Sequence, residues 1–368
     1  MSITLADCVE VVAAAYDPAA AEAWDAVGLV SGDPAGAVQR IHVAVDPTPD
    51  VVDEALAAGA QLLLVHHPLL LRGVHGIAET SPAGRVLAAL TRARCGLLTA
   101  HTNADVALPG VSDALLGALG LPTAGAAALV PTYEELDALA VYVPTEKRAA
   151  LHAALGDAGA GRLGDYERCA WWTTGTGTFL PLAGAQPAIG QVGSAEQVAE
   201  DRLEMVVPRG ARDAVIAALR AHHPYEEPAF WLWPLTVPRR GGLGRVVDLP
   251  AATTLGAFTT AVRQGLPATV WGVRASGDAA QRVRRVAVCG GAGGDLAGAA
   301  AAAGADVLLT SDLKHHVALD APLPLIDAAH WATERPWCDQ AAAVLRAAFG
   351  ARVTVTVSDR RTDPWTHV

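Results

Sequence analysis

Gln61-Leu62-Leu63-Leu64-Val65-His66-His67-Pro68 joins a short aliphatic run directly to two imidazoles and a turn-forming proline. The LLLV run is too short for a helix and reads as a strand buried on both faces, as in the middle of a parallel sheet. The same grammar recurs on either side. Arg40–Asp46 (RIHVAVD) is a β-branched strand, and Asp50–Gly59 is an amphipathic helix closed by glycine. A helix over Ala83–Arg94 leads to the strand Cys95–Ala100, which ends in His101-Thr102-Asn103-Ala104-Asp105. Far along the chain the pattern returns. The strand Arg284–Cys289 runs into the Gly290–Asp295 loop, and a helix covers Leu296–Ala303. The strand Asp306–Thr310 precedes Ser311–His316, and the strand Leu323–Asp327 stops just before His330. Pro336 should end the turn that begins at His330, with a last helix over Cys338–Phe349.

The segment between has another texture. Asp137–Val143, Trp171–Phe179, Arg202–Val207 and Ala229–Pro234 read as strands, with helices near Glu146–Asp157 and Ala211–His222. That β-α-β-β-α-β order describes a small α+β module, and Arg239–Gly244 (RRGGLG) looks like its boundary. The expected organisation is an α/β lobe over 1–129, an inserted module over 130–236, and a second α/β lobe over 237–368. The two lobes form one body.

Composition narrows the chemistry. The 368 residues are 52% hydrophobic and 18% charged, with mean hydropathy +0.29. The two longest uncharged windows, Ala114–Tyr133 and Cys169–Ala195, are broken by glycine and proline, so neither reads as a membrane span. The N-terminus has no basic region and carries acids within its apolar part, unlike a signal peptide. A cytoplasmic protein is expected. A net charge of −11 without a basic block argues against a broad nucleic-acid surface. Lys147 and Lys314 are the sole lysines, no GxxxxGK[ST] loop exists, and no serine sits in GxSxG. Five scattered cysteines, none in CxxC, read as buried reduced thiols.

Histidines carry the functional signal. His66-His67, His101 with Asp105, Asp312 with His315-His316, and His330 with Glu334 each follow a buried strand. Carboxyl ends of parallel strands converge on one crevice, and imidazole with carboxylate suits Zn, Mn, Fe, Co or Ni. Each pair also has a plainer reading. His66-His67 could cap a helix, His330 and Glu334 could be an ordinary i,i+4 pair, and Asn103 with Asp105 could simply build a turn. His315 reads as an outer contact to metal or substrate. The Gly290–Asp295 loop could cradle phosphate, but its spacing favours a tight turn. His222-His223, before Pro224-Tyr225-Glu226-Glu227, reads as a surface helix end, with a second site there as the alternative. Trp24–Leu29 shows no evident chemistry.

Several motifs in one order add a resemblance. Trp24–Asp33 (WDAVGLVSGD) is similar to WDNVGLQVGD, and Leu64–Pro68 (LVHHP) holds an HHP motif. Ala100–Asp105 (AHTNAD) is similar to AHTNLD, Thr310–His316 (TSDLKHH) to TGDLKHH, and Ala329–Glu334 (AHWATE) to GHYATE. Across nearly its whole length the chain resembles the Nif-three-like dinuclear metal-centre proteins, often labelled GTP cyclohydrolase type-two homologues. The resemblance implies two divalent ions per subunit, held by His66, His67, Asp105, His330 and Glu334. Glu334 would bridge, with His67 and Asp105 on one ion and His66 and His330 on the other. It further implies a PII-like or CutA-like insert and a homohexameric toroid.

Two ions can activate water and clamp both oxygens of a displacement. The expected activity is therefore metal-dependent hydrolysis by a metal-bridging hydroxide, on a nucleotide, phosphoester or purine ring. His101 or His315 would carry protons. The alternatives are a metal-binding or metallochaperone protein without turnover, and a regulatory scaffold. A substrate follows from neither fold nor site alone.

Overall fold

Leu62–Val65 is the central strand of a five-stranded sheet in the computed structural model, which describes residues 2–367. The spatial order is Gly28–Ser31, Gly96–Thr99, Leu62–Val65, Arg40–Ala44, Thr354–Val357. All pairings are parallel except that of the edge strand Gly28–Ser31. Successive side chains on a strand face opposite ways. Leu62 and Leu64 pack with Cys8 and Val12 of the helix Leu5–Ala15 and with Trp337 and Leu345 of the helix His330–Phe349. Leu63 and Val65 pack with Val51 and Ala55 of the helix Pro49–Ala57 and with Leu87 and Leu90 of the helix Pro82–Arg92. Burial on both faces explains the unbroken aliphatic run.

The chain divides into two units: residues up to Thr132 together with those from Arg239 onward, and Tyr133–Pro238. In the first unit, a second set of strands follows the sheet just described. Here the C-terminal part of Phe230–Thr254 pairs antiparallel with Arg282–Ala292, which pairs parallel with Val307–Ser311 and then Leu325–Asp327. Leu115, Leu116 and Phe258 cover one face of these strands, and Ala297 and Ala300 cover the other.

Two local expectations are corrected. The strand from Arg282 runs on to Ala292, with a register irregularity after Val288, instead of stopping at Cys289. The boundary read at Arg239–Gly244 falls where the second unit gives way to the first, within a strand that runs unbroken over Phe230–Thr254. Its glycines serve close approach: a Cβ on Gly241 would lie 1.8 Å from the Val106 carbonyl oxygen, and one on Gly242 2.4 Å from that of Val130. Pro336 lies inside the helix His330–Phe349 and does not end it. A proline there removes one helical hydrogen bond, costing about 3 kcal/mol. The helix persists because Trp331, Trp337, Cys338, Ala341 and Leu345 are buried on both sides of the proline.

In the second unit, the antiparallel strands Trp171–Phe179, Glu196–Pro208 and the C-terminal part of Ala127–Pro144 lie in that order. Leu139, Val141, Leu203 and Met205 pack against Leu151 and Leu155 of the helix Arg148–Asp157 and Val215 and Leu219 of the helix Arg212–His222. Arg212 donates two hydrogen bonds to Asp137, at 2.8 and 2.7 Å, and these hold the buried carboxyl below its usual range. A depressed carboxyl stabilises the fold above its unfolded value and ceases to do so as it is protonated. Asp137→Asn should therefore be less stable than wild type at neutral pH. The gap should close as pH falls through and below about 3.8, which urea melts at pH 7 and pH 3 would read.

Candidate metal centre

Side chains just beyond the carboxyl ends of the parallel strands converge. His66 is fully buried, and its Nδ1–H donates to the Ala100 carbonyl at 2.8 Å. That tautomer leaves a bare lone pair on Nε2, which has no hydrogen-bond partner. The lone pair faces Glu334 Oε1 at 3.6 Å and Asp105 Oδ1 at 3.7 Å. Three acceptors aimed at one another in a buried space call for a cation between them. His330 Nε2 lies 2.9 Å from the same Glu334 Oε1, and His67 Nε2 lies 3.1 Å from Oε2. His66, His67 and His101 also bring ligand atoms within 4.8 Å of one another, as do His67, His330 and Glu334. This donor set could hold metal.

Each imidazole is aimed from behind. Asp46 Oδ1 accepts from His67 Nδ1 at 2.6 Å, Asp25 Oδ1 from His101 Nδ1 at 2.9 Å, and Asp312 Oδ2 from His330 Nδ1 at 2.7 Å. Such outer carboxylates fix the tautomer so that Nε2 points inward, and they raise its basicity. Asp25 is itself held by the Thr102 hydroxyl at 2.5 Å and the Thr102 amide at 3.0 Å. Neither Asp46 nor Asp25 stood out in the sequence, because each lies far along the chain from the histidine it supports.

Burial pushes the Glu334 carboxyl up, but the three imidazoles around it more than offset this and hold it well below the usual range. Burial likewise pulls His67 and His330 down, yet Glu334 with Asp46 or Asp312 raises both, His330 to about 9. Burial raises Asp105 to about 6. His101 is pushed down by burial and by the neighbouring His66, so it is neutral at physiological pH.

The glycine-rich loop serves this cluster. The Gly291 amide donates to Thr333 Oγ1 and the Gly293 amide to Thr310 Oγ1, so neither is free for phosphate. Gly291 has φ +68°, and a Cβ there would stand 2.3 Å from Glu334 Oε1. Gly291→Ala is expected to displace that carboxylate and lower metal content at least tenfold while every ligand residue remains. Elemental analysis after dialysis would measure it.

A family model described as Duf34/NIF3 (NGG1p interacting factor 3) matches residues 3–364. The chain belongs to the Duf34/NIF3 family. It is similar to a Mycobacterium tuberculosis protein named GTP cyclohydrolase 1 type 2 homolog, with 52% identity over 99% of this chain and 97% of that one. A Bacillus subtilis protein of the same name is 42% identical over 84% of this chain and 83% of its own. Among solved structures, a Bacillus cereus protein related to NIF3 superposes with TM-score 0.75 at 34% identity, covering both chains fully. A Staphylococcus aureus protein superposes with TM-score 0.81 at 26% identity, covering 100% of this chain and 99% of that one. The α/β architecture read from the sequence is that of NIF3-related structures.

In this NIF3 chain His66, His67, His101, Asp105, His330 and Glu334 come together, and His315 does not join them. His315 is exposed at the start of the helix His315–Asp320 and lines a separate depression with Arg274, Ser276 and Asp327. A cavity of about 560 Å³ opens beside His67, His101 and His330. Trp271 and Trp365, stacked with ring centroids 5.7 Å apart, form part of its wall. Ala329 adopts φ +61° where the family motif carries glycine. That conformation costs an L-residue about 1–3 kcal/mol and persists where the surroundings impose it. Among the described residues, no helix is long and apolar enough to cross a membrane.

Proposed function

We propose that this NIF3-family chain is a metal-dependent hydrolase in which His66, His67, Asp105 and His330 would hold two divalent ions, with Glu334 as their shared carboxylate. The observation that carries this reading is the buried Glu334 carboxylate, with His66 and His330 gathered at Oε1 and His67 at Oε2. His66 and His330 would hold one ion, and His67 with Asp105 the other. Bound divalent ions supply Lewis acidity and water activation. His101 then has the proton-transfer role. With Nδ1–H committed to Asp25, its neutral Nε2 is free to accept a proton and pass it on. The open cavity favours turnover over a closed storage site, and its tryptophan wall suits a planar ring, as in a nucleotide. The relatives' shared name points to the same substrate class. The family resemblance supports a cytoplasmic homohexamer.

The test begins with elemental analysis of protein purified without added metal, followed by a screen of nucleotides and phosphoesters in the metal found. Two ions per chain and turnover are expected. His101→Gln should keep both ions and lose about a hundred-fold in kcat, within the range for general acid–base groups. Two ions without turnover on any such substrate would favour the metallochaperone or scaffold reading.

A further inference from the structure

The unit Tyr133–Pro238 contains a cavity of its own, about 320 Å³, at the small end of the range for ligand pockets. Phe179, Leu180, Pro187 and Ile189 give it an apolar wall, and Glu200, Glu226 and Glu227 give it three carboxylates. No lysine or arginine lines it.

Glu200 makes this a built site. It is only 9% exposed, and the Tyr225 hydroxyl donates to its Oε1 at 2.9 Å. Among the described residues, Oε2 has neither a hydrogen bond nor an ion pair. The strand opposite leaves room for it, because a Cβ on Gly177 would lie 2.0 Å from Oε2. The nearby His223 is not its counter-ion. Its Nε2–H donates to the Tyr142 carbonyl at 2.9 Å, and its Nδ1 accepts from the Tyr225 amide at 3.1 Å, so the ring is neutral. Glu226 accepts from the Gln186 amide at 2.8 Å and so ties the 180–195 loop over the cavity. The rings of Phe179 and Tyr225 stand 5.7 Å apart at 61°, and aromatic walls of this kind attract cations. A buried carboxylate without a cation is costly, and this one faces a space large enough for a small molecule.

We propose that this cavity binds a small organic ammonium ion with a flat apolar body, the ammonium on Glu200 and the body against Phe179, Leu180 and Ile189. The site is independent of the metal centre. Titration calorimetry on the full chain would compare tryptamine with its neutral analogue indole-3-ethanol. Tryptamine should bind at least tenfold more tightly, and Glu200→Gln should erase that preference while metal content stays the same. Ile189→Trp, which fills the cavity and leaves Glu200 intact, should abolish binding of both probes. The second variant keeps the test decisive if Glu200→Gln folds poorly. Equal affinity for the two probes, no binding of either, a preference that survives Glu200→Gln, or binding that disappears with chelation would each overturn the assignment.

Discussion

Glu334→Gln should purify with little or no bound metal and with turnover at background. Glutamine keeps the size of the side chain and removes the one charge that His66, His67 and His330 share. Breaking a buried charged set by deleting one partner costs about 3–5 kcal/mol, which at 1.4 kcal/mol per decade is on the order of a thousand-fold in metal affinity. On the proposed two-ion arrangement both ions should be affected, because His66 and His330 stand at one oxygen of this carboxylate and His67 at the other. Asp105→Asn touches one side only and should spare part of the metal. Elemental analysis and far-UV circular dichroism on the same preparations separate loss of metal from loss of fold. A Glu334→Gln protein that retains two ions would remove the bridging role.

Arg245 should matter as much to stability as Glu334 does to metal. Only 1% exposed, it donates to both oxygens of Asp113, at 3.0 and 2.6 Å, and to the carbonyls of Gly242, Gly244 and Ala107. Arg245→Met leaves the Asp113 charge buried and three carbonyls without their donor, so a loss of about 3–5 kcal/mol is expected. Asp113→Leu should cost a similar amount, since it also frees the Gly110 amide that Asp113 caps at 2.7 Å. The double variant should lose clearly less than the sum of the two, because neither charge is then stranded. Urea denaturation of the four proteins measures the coupling, and simple additivity would show that the pair does not act as a unit.

The body of the fold was legible because its strands are buried on both faces. LLLV at 62–65 and RVAVC at 285–289 admit few other readings. The residues at the centre were legible for the same reason, each standing where such a strand ends. The supports were not. Asp25 meets His101 across 76 residues, and Arg245 meets Asp113 across 132, distances over which spacing carries no signal. Pro336 misled because the local rule for proline in a helix ignores the burial on both sides of it. His315 read as an outer contact to metal or substrate because it stands just beyond a buried strand. It is Asp312, at φ +55°, that reaches His330 Nδ1.

Thr354–Val357 pairs with Arg40–Ala44, and Glu334 meets His66 and His67 from the other end of the sequence. A ribosome making this chain must therefore complete almost all of it before His330 and Glu334 can join His66 and His67. The nascent N-terminal half displays His66-His67 and an incomplete sheet edge while Glu334 is still unmade. On the proposed function, a metal held through Glu334 would load only after synthesis, in competition with whatever else binds a pair of imidazoles. Contacts this distant in sequence also form slowly, so the interval in which the half-made protein needs protection is long.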